Sequence, residues 1–359
     1  RHFELLLMEL NEESKQLNFR HKTGKGCEQL AGIVLLTPTL GAGGGIERHT
    51  HSFCRAMALA GFEDLLSIIP LRLHSHFMTG TPCLCPGRIL LARGPKSWMI
   101  RKIWFTFAAL RLALKLRPQV VLAAHVSLAP VAFAMAKITG GKYGVFAHGI
   151  EVWQHLAWHK RFALLSADLL ISVSELTARI IRKHHGLVRG ELAVIPNVTE
   201  IPSTVDGPSQ SAELLTLMKD SYTLLTVGRM SSKERYKGHD VVLRALPAIM
   251  KQVPNLLYVV IGGGDDLPRL QRLAVKMNVD EAVCFVGHVR EDDLPIYYQA
   301  CDVFVMPSKT EVNYQCPKGE GFGIVYLEAM AHGKPVIGPN HGAPTEFLRH
   351  KENAFLVDP

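Results

Sequence analysis

No run of roughly 18 apolar residues occurs in this chain, so the sequence holds no evident transmembrane helix. Cysteine is scarce and scattered, seven in 359 residues. An odd, dispersed set argues against a disulfide framework and for reduced thiols in a cytosolic setting. The pairs "HSH" (74–76) and "CLC" (83–85) match no common zinc spacing. The opening "RHFELLLMELNEESKQLNF" mixes acids with its leucines and has no small-residue cleavage site, so it does not read as a signal peptide. Residues 1–30 read instead as an appended extension. Acids are missing from a long stretch: eleven basic residues and no acidic one lie between Asp64 and Glu151. Residues 1–198 hold 24 Lys and Arg against 12 Asp and Glu, whereas residues 199–359 hold 16 against 20. The first half therefore suits an anionic partner (a membrane surface, a phosphorylated lipid or nucleic acid), or it is a plain solvated basic surface.

What is present is alternation. Short apolar runs such as "AGIVLLT" (31–37), "QVVLAA" (119–124) and "KYGVFAH" (142–148) alternate with segments of helical spacing at 46–60, 97–116, 130–138 and 174–185. The Pro-, Ser- and Gly-rich segment from 199 breaks the pattern, and it restarts at "YTLLTVG" (222–228) and "LLYVVIG" (256–262). This predicts an α/β chain of two tandem Rossmann-like, doubly wound parallel-sheet domains, 31–198 and 221–359, with a linker over 199–220. Ligands are expected at the carboxyl ends of the strands, in the cleft between the domains.

Four loops carry unusual residues. "TPTLGAGGGIERH" puts Gly44 and Gly45 just before a helix, where backbone can pass close to a ligand and helix amides can meet an anion. Alone, that turn equally suits NAD, a nucleotide or a tight bend. "VGRMSSKERYKGHD" places Arg229 at a strand end, Lys233 in the loop and Lys237 before a helix, a set that suits a diphosphate or forms a solvated basic loop. "EGFGIVYLEAM" sets Glu320 in a loop and Glu328 about two turns into a helix, with the amides from Gly321 through Phe322 and Gly323 to Ile324 between them. An acid–base pair of the glycosidase kind fits poorly, because it needs a carboxyl on each side of a bond. "FAHGIEVW" places His148 at a strand end.

Together these loops resemble the retaining glycosyltransferases of family 4, the "glycosyl transferases group 1" type with a GT-B fold. The resemblance covers about residues 31–359 and rests on "EGFGIVYLEAMAHGKPVI", "VGRMSSKERYKG", "GGGIERH" and "GAPTEF". It implies that Arg229 and Lys237 neutralise the diphosphate of a nucleotide sugar. Glu320 and the amides after it would hold the donor sugar, and Glu328 the ribose. His148 would lie beside the reacting carbon, with Gly44 and Gly45 near the phosphates. The nine residues from Arg229 to Lys237 exceed the family's common spacing, which keeps Lys233 as an alternative to Lys237. "IPNVTE" lacks the Gly that often follows Pro-Asn, and the C-terminal domain looks cut short by the family's pattern. No cofactor is implied, and no Asp-x-Asp is placed to hold a metal.

"KSWMIRKIWFTFAALRLALKLR" (96–117) has six basic residues, two Trp and no acid. Lys96, Trp98, Arg101, Lys102 and Trp104 would suit an interfacial helix on anionic lipid and a lipid-linked acceptor. Alternatively Ile103, Phe107, Leu110 and Leu114 form a buried stripe. The expectation is a cytoplasmic enzyme, peripheral on the inner face of the membrane. It would move a hexose from GDP-mannose or UDP-glucose with retention, to a lipid-linked or glycan acceptor in surface polysaccharide or glycolipid assembly. The rivals are an NAD-dependent nucleotide-sugar epimerase or oxidoreductase, with Glu63–Asp64 as the ribose acid, and a basic nucleic-acid module.

Overall fold

The computed structural model describes residues 32–41, 44–74, 88–90, 94–95, 97–186, 188–199, 212–311 and 317–359. The chain divides into two compact units, with the main boundary between Pro196 and Asn197.

The first unit runs β1 (Ile33–Leu40), α1 (Gly45–Leu59), β2 (Leu66–Leu73), β3 (Arg88–Ile89), α2 (Trp98–Leu116), β4 (Val120–Ala123), α3 (Ala129–Thr139), β5 (Lys142–Ala147), α4 (Ile150–Trp153), α5 (Trp158–Leu165), β6 (Leu169–Ser172), α6 (Glu175–His185) and β7 (Glu191–Val194). Its sheet has the order β3-β2-β1-β4-β5-β6-β7, and every neighbouring pair is parallel. The order reverses at β1, where a parallel sheet opens a crevice at the strand ends.

The second unit runs α7 (Ala212–Lys219), β8 (Tyr222–Val227), α8 (His239–Met250), β9 (Leu256–Ile261), α9 (Leu267–Lys276), β10 (Val283–Gly287), α10 (Leu294–Ala300), β11 (Val303–Val305), α11 (Ile324–Ala331), β12 (Val336–Pro339) and β13 (Phe355–Val357). The strand order is β10-β9-β8-β11-β12-β13, again parallel throughout, with its reversal at β8. β9, "LLYVVI", is buried along its whole length. Leu257, Val259 and Ile261 enter one core with Phe304 and Tyr326, while Leu256, Tyr258 and Val260 enter another with Val242 and Leu270. Alternate residues of one strand thus feed two cores, because helices cover both faces of the sheet.

One boundary differs from the sequence expectation. Residues 212–219, read as linker, form α7, whose Leu214, Leu215 and Met218 pack on the second unit's core. Their spacing puts them on one helical face, and the flanking Pro, Ser and Gly obscured it.

Candidate functional site

The second unit gathers its charged loops where the strand order reverses. β8 ends at Val227, and Arg229 stands just beyond it. The Arg229 side chain is 77% exposed, and its Nη2 lies 2.5 Å from Glu234 Oε1. The loop is braced against the start of α9. Ser232 donates its amide and hydroxyl to Asp265, and Arg235 and Arg269 both bond Asp266. The Arg269 bond, with Arg235 adding to it, holds the Asp266 carboxyl below its ordinary range. Lys233 is exposed on this loop.

Lys237 is only 8% exposed, and its Nζ donates to both Glu320 oxygens at 2.9 and 3.0 Å. Of the two lysines, Lys237 is the one that meets the Glu320 carboxylate. The extra loop residues are absorbed by a 3₁₀ turn, Arg235–Lys237, that returns the chain to the sheet end. Beside it, Tyr236 is kept protonated far above its usual range by burial and by the Glu320 and Glu234 carboxylates.

The first turn of α11 fixes the position of Glu320. Gly323 caps that helix with φ 91, and a Cβ there would sit 2.6 Å from the Tyr326 ring. Tyr326 is fully buried and donates its hydroxyl to the Met306 carbonyl at 2.6 Å, which ties the first turn of α11 to the end of β11. Phe322 is buried against Phe347, with ring centroids 4.9 Å apart, while Gly321 and Ile324 are half-buried. The Tyr326 amide bonds the Gly323 carbonyl, but a helix start lacks a preceding turn to accept all its first amides, so this end of α11 carries partial positive charge beside Glu320.

Glu328 departs from the expectation in its place on the helix. α11 begins at Ile324, so Glu328 lies one turn in rather than two. It is 8% exposed, and Tyr298 donates its hydroxyl to Oε2 at 2.8 Å. Tyr298 stacks on His332, which in turn bonds the Glu328 carbonyl. Tyr298 comes from α10, thirty residues away in sequence, so no local pattern in the sequence could have named it.

His239, the first residue of α8, was also missed. It is 4% exposed, and among the described residues its Nε2 has no hydrogen-bond partner. Burial, with Lys237 nearby, lowers its pKa to about 4, so it is neutral at pH 7. The unfolded value near 6.5 is higher, so the unfolded chain binds the extra proton first as pH falls. His239 therefore contributes stability above pH 6.5 that is lost between there and pH 4. At pH 5 we expect about 2 kcal/mol less stability from this group than at pH 7, and His239→Gln should flatten that part of a denaturation–pH profile.

In the first unit, Gly44 caps α1 with φ 106, and a Cβ at Gly44 or Gly45 would meet nothing within 4 Å. Glu47, in the first turn of α1 and buried, accepts the Gly41 amide. His148 ends β5. Its Nε2–H donates to the Ala124 carbonyl at 2.8 Å. Its ring stands 5.0 Å from that of His49 on α1, which brings His148 and the glycine-loop helix together. Glu63 and Asp64 form a 3₁₀ turn ahead of β2, not at a strand's carboxyl end, so they cannot serve as the ribose acid of an NAD site.

On α2 the alternative of a buried stripe does not hold, although its Leu110 is half-buried. Phe105, Ala109, Ala113 and Leu116 face inward, while Ile103, Phe107 and Leu114 are 72%, 67% and 62% exposed. Trp98 is 45% exposed and lies under Lys102 Nζ at 4.5 Å. Arg101 is half-buried and bonds the Pro95 carbonyl, and Trp104 packs towards Gly94. Lys96 lies outside the described residues.

The family model "Glycosyltransferase Family 4" matches residues 43–201, and "Glycosyl transferases group 1" matches 212–359. The chain belongs to glycosyltransferase family 4. Among its relatives, the GDP-mannose-dependent alpha-(1-6)-phosphatidylinositol monomannoside mannosyltransferase of Mycobacterium tuberculosis is 40% identical over 122 residues, 34% of this chain and 31% of that protein. The D-inositol 3-phosphate glycosyltransferase of Streptomyces avermitilis is 30% identical over 203 residues, 54% of this chain and 41% of that one. The matches therefore span roughly a third to two fifths of those relatives. Anabaena HepE in complex with UDP-glucose superposes with a TM-score of 0.67 at 19% identity, over 91% of this chain and 85% of that one. The sucrose-phosphate synthase of Thermosynechococcus elongatus gives 0.69 at 22%, over 91% and 86%. These two likenesses establish the GT-B fold of this family 4 chain.

Proposed function

We propose that this family 4 member transfers a hexose from a nucleoside-diphosphate sugar, of the GDP-mannose or UDP-glucose type, to a lipid-linked or glycan acceptor in surface polysaccharide or glycolipid assembly. The carrying observation is the Lys237–Glu320 pair at the start of α11. It sets a cation, a carboxylate and helix-end amides side by side, which suits a sugar bonded to a diphosphate. Arg229 adds a second cation at the strand end, once an incoming phosphate displaces Glu234 from it. As the bond from the anomeric carbon to the phosphate oxygen breaks, negative charge grows on the leaving diphosphate, where Arg229, Lys237 and the α11 amides stabilise it. The acceptor oxygen then bonds that carbon on the same face, and its proton passes to the leaving phosphate. That route retains configuration and asks no side chain to attack the sugar. It also needs no metal to hold the diphosphate. Glu320 and the Gly321–Ile324 backbone would hold the sugar, and Glu328, shared with Tyr298, the ribose. His148, Gly44 and Gly45 take their roles from the family resemblance. The names of the mycobacterial and Streptomyces relatives favour a mannosyl donor or an inositol-containing acceptor. A cytoplasmic enzyme, peripheral on the inner membrane face, accords with both.

Calorimetry with UDP, GDP, UDP-glucose, GDP-mannose and NAD, all without metal, tests this. One nucleoside diphosphate and its sugar should bind. Glu328→Ala should weaken that binding by about 10–100-fold, the loss of a charged hydrogen-bond acceptor. Glu328→Gln retains an acceptor for Tyr298, and so separates ribose binding from folding. Binding of NAD with no nucleoside diphosphate would overturn the reading.

A further inference from the structure

His341 stands between β12 and the "GAPTEF" loop, and its ring reaches across to the chain that leaves β11. The Thr310 amide donates to its Nε2 at 3.0 Å. Because Nε2 accepts there, the N–H of the ring is on Nδ1, which donates to Asn340 Oδ1 at 2.8 Å. The Asn340 amide is bonded in turn to the Val357 carbonyl of β13. Both ring nitrogens of His341 are thus engaged, one of them on Thr310.

Thr310 is enclosed by two glycines. A Cβ built on Gly342 would lie 2.2 Å from its Oγ1, and one on Gly319 would lie 2.8 Å from Oγ1 and 3.1 Å from its Cα. Only residues without a Cβ let these three pieces of chain meet so closely. The Thr310 hydroxyl is buried and, among the described residues, has no hydrogen-bond partner, so the side chain acts there by its shape. Its neighbours reach both halves of the Lys237–Glu320 pair. Lys309 donates its amide to the Tyr236 carbonyl at 2.6 Å, next to Lys237. Glu311 and Lys318 exchange amide–carbonyl bonds at 2.8 and 2.9 Å, which returns the chain to Gly319 and so to Glu320.

We propose that His341 is a positioning residue for the donor sugar: by holding Thr310 against Gly319, it fixes where Glu320 stands. This role rests on Glu320 being the partner of the sugar, as proposed above. Thr310 packs on the backbone of the residue before Glu320, so a Thr310 that drifts lets Gly319 drift and turns the carboxylate. A buried or half-buried amide without an acceptor is costly, so loss of His341 favours that drift. Lys237 answers to a different contact, the Lys309 amide on Tyr236, and Glu328 answers to Tyr298. Losing the His341 bond should therefore be felt by the sugar and spare the diphosphate and the ribose.

Calorimetry on the full chain compares UDP with UDP-glucose and GDP with GDP-mannose. His341→Ala should weaken the nucleotide sugar that binds by about tenfold, the scale of one lost hydrogen bond that leaves its donor unpaired. Affinity for the matching diphosphate should stay within about twofold, as for a site that does not touch it. His341→Gln keeps an acceptor for the Thr310 amide and should restore sugar binding. Hydrogen exchange at the Thr310 amide should speed up in His341→Ala and not in His341→Gln. If His341→Ala fails to fold, Thr310→Gly removes the wedge and should give the same selective loss. Thr310→Val keeps the shape and should bind like the wild type; a loss there would assign the role to the hydroxyl and overturn the wedge. Faster Thr310 exchange with both affinities unchanged overturns the proposal and leaves sugar transfer standing. An equal loss of diphosphate and sugar, without rescue by Gln, makes His341 merely structural and also overturns it. A wild type that binds neither diphosphate nor nucleotide sugar overturns the sugar-transfer reading itself, and this role with it.

Discussion

Lys237→Ala should lower turnover about 10²–10³-fold, the scale on which a single preorganised electrostatic contact to a developing oxyanion acts. The geometry supplies the reason. Lys237 Nζ sits 2.9 Å from Glu320 Oε1, both side chains are mostly shielded from water, and the start of α11 lies alongside. Charge in such a site is screened less than at the surface, so a lost cation is felt more. If the lysine acts mainly as the diphosphate leaves, kcat falls more than KM rises. Stability moves too. Removing one partner leaves Glu320 largely shielded with no countercharge from Lys237, at a cost of about 1–3 kcal/mol. Lys237→Met with Glu320→Gln removes both charges and should recover most of that stability while activity stays lost. If the double variant is as destabilised as Lys237→Ala, the pair is not the source of the cost. If Lys237→Ala turns over normally, the diphosphate is held elsewhere, and Lys233 is the next cation to test.

The strands were legible because each is short, apolar and bounded by turn residues. The apolar runs at 31–37, 119–124, 142–148, 222–228 and 256–262 agree within a few residues with β1, β4, β5, β8 and β9. The candidate site was legible in its charges but not in its pairings. "EGFGIVYLE" and "VGRMSSKERYKG" could be read as loops that meet an anion, yet sequence spacing could not show that Lys237 reaches Glu320 across 83 residues. Nor could it show that Glu234 holds Arg229 or that Tyr298 holds Glu328, since such contacts are set by how strands order in the sheet. The alternative of a buried stripe on α2 failed for a related reason. Apolar residues populate both sides of that helix, so a period near 3.6 is satisfied by either stripe. What decides is the size of the residues. Ala109 and Ala113 let the helix approach its neighbours closely, and Ile103 and Phe107 are left outside. α7 was hidden by the Pro, Ser and Gly before it, which dominate any composition window that spans both.

Gly238→Ala should be the most destabilising small substitution in the donor loop, by about 2–4 kcal/mol. Two terms add. Gly238 has φ 80, in the left-handed region where a side chain costs about 1 kcal/mol or more. A Cβ there would also lie 2.3 Å from the Pro307 carbonyl oxygen and 3.0 Å from its carbon. Neither atom belongs to a flexible side chain, so backbone must move, and overpacking of that kind costs about 1–3 kcal/mol. The shift has a direction. Gly238 closes the turn that holds Lys237 and opens α8, and Pro307 lies just beyond β11, so relieving the clash draws Lys237 away from the sheet end and from Glu320. Activity should therefore fall with stability. Gly140→Ala is the matched control: φ is 72 there, at the C-cap of α3, but an added Cβ meets nothing within 4 Å. It should cost only the backbone term, about 1 kcal/mol. Urea denaturation of the two variants separates crowding from backbone strain. A gap of about 2 kcal/mol or more between them supports a glycine required by the Pro307 carbonyl. Equal costs would mean that the loop can step away from β11 freely, and that Lys237 is held in place by Glu320 alone.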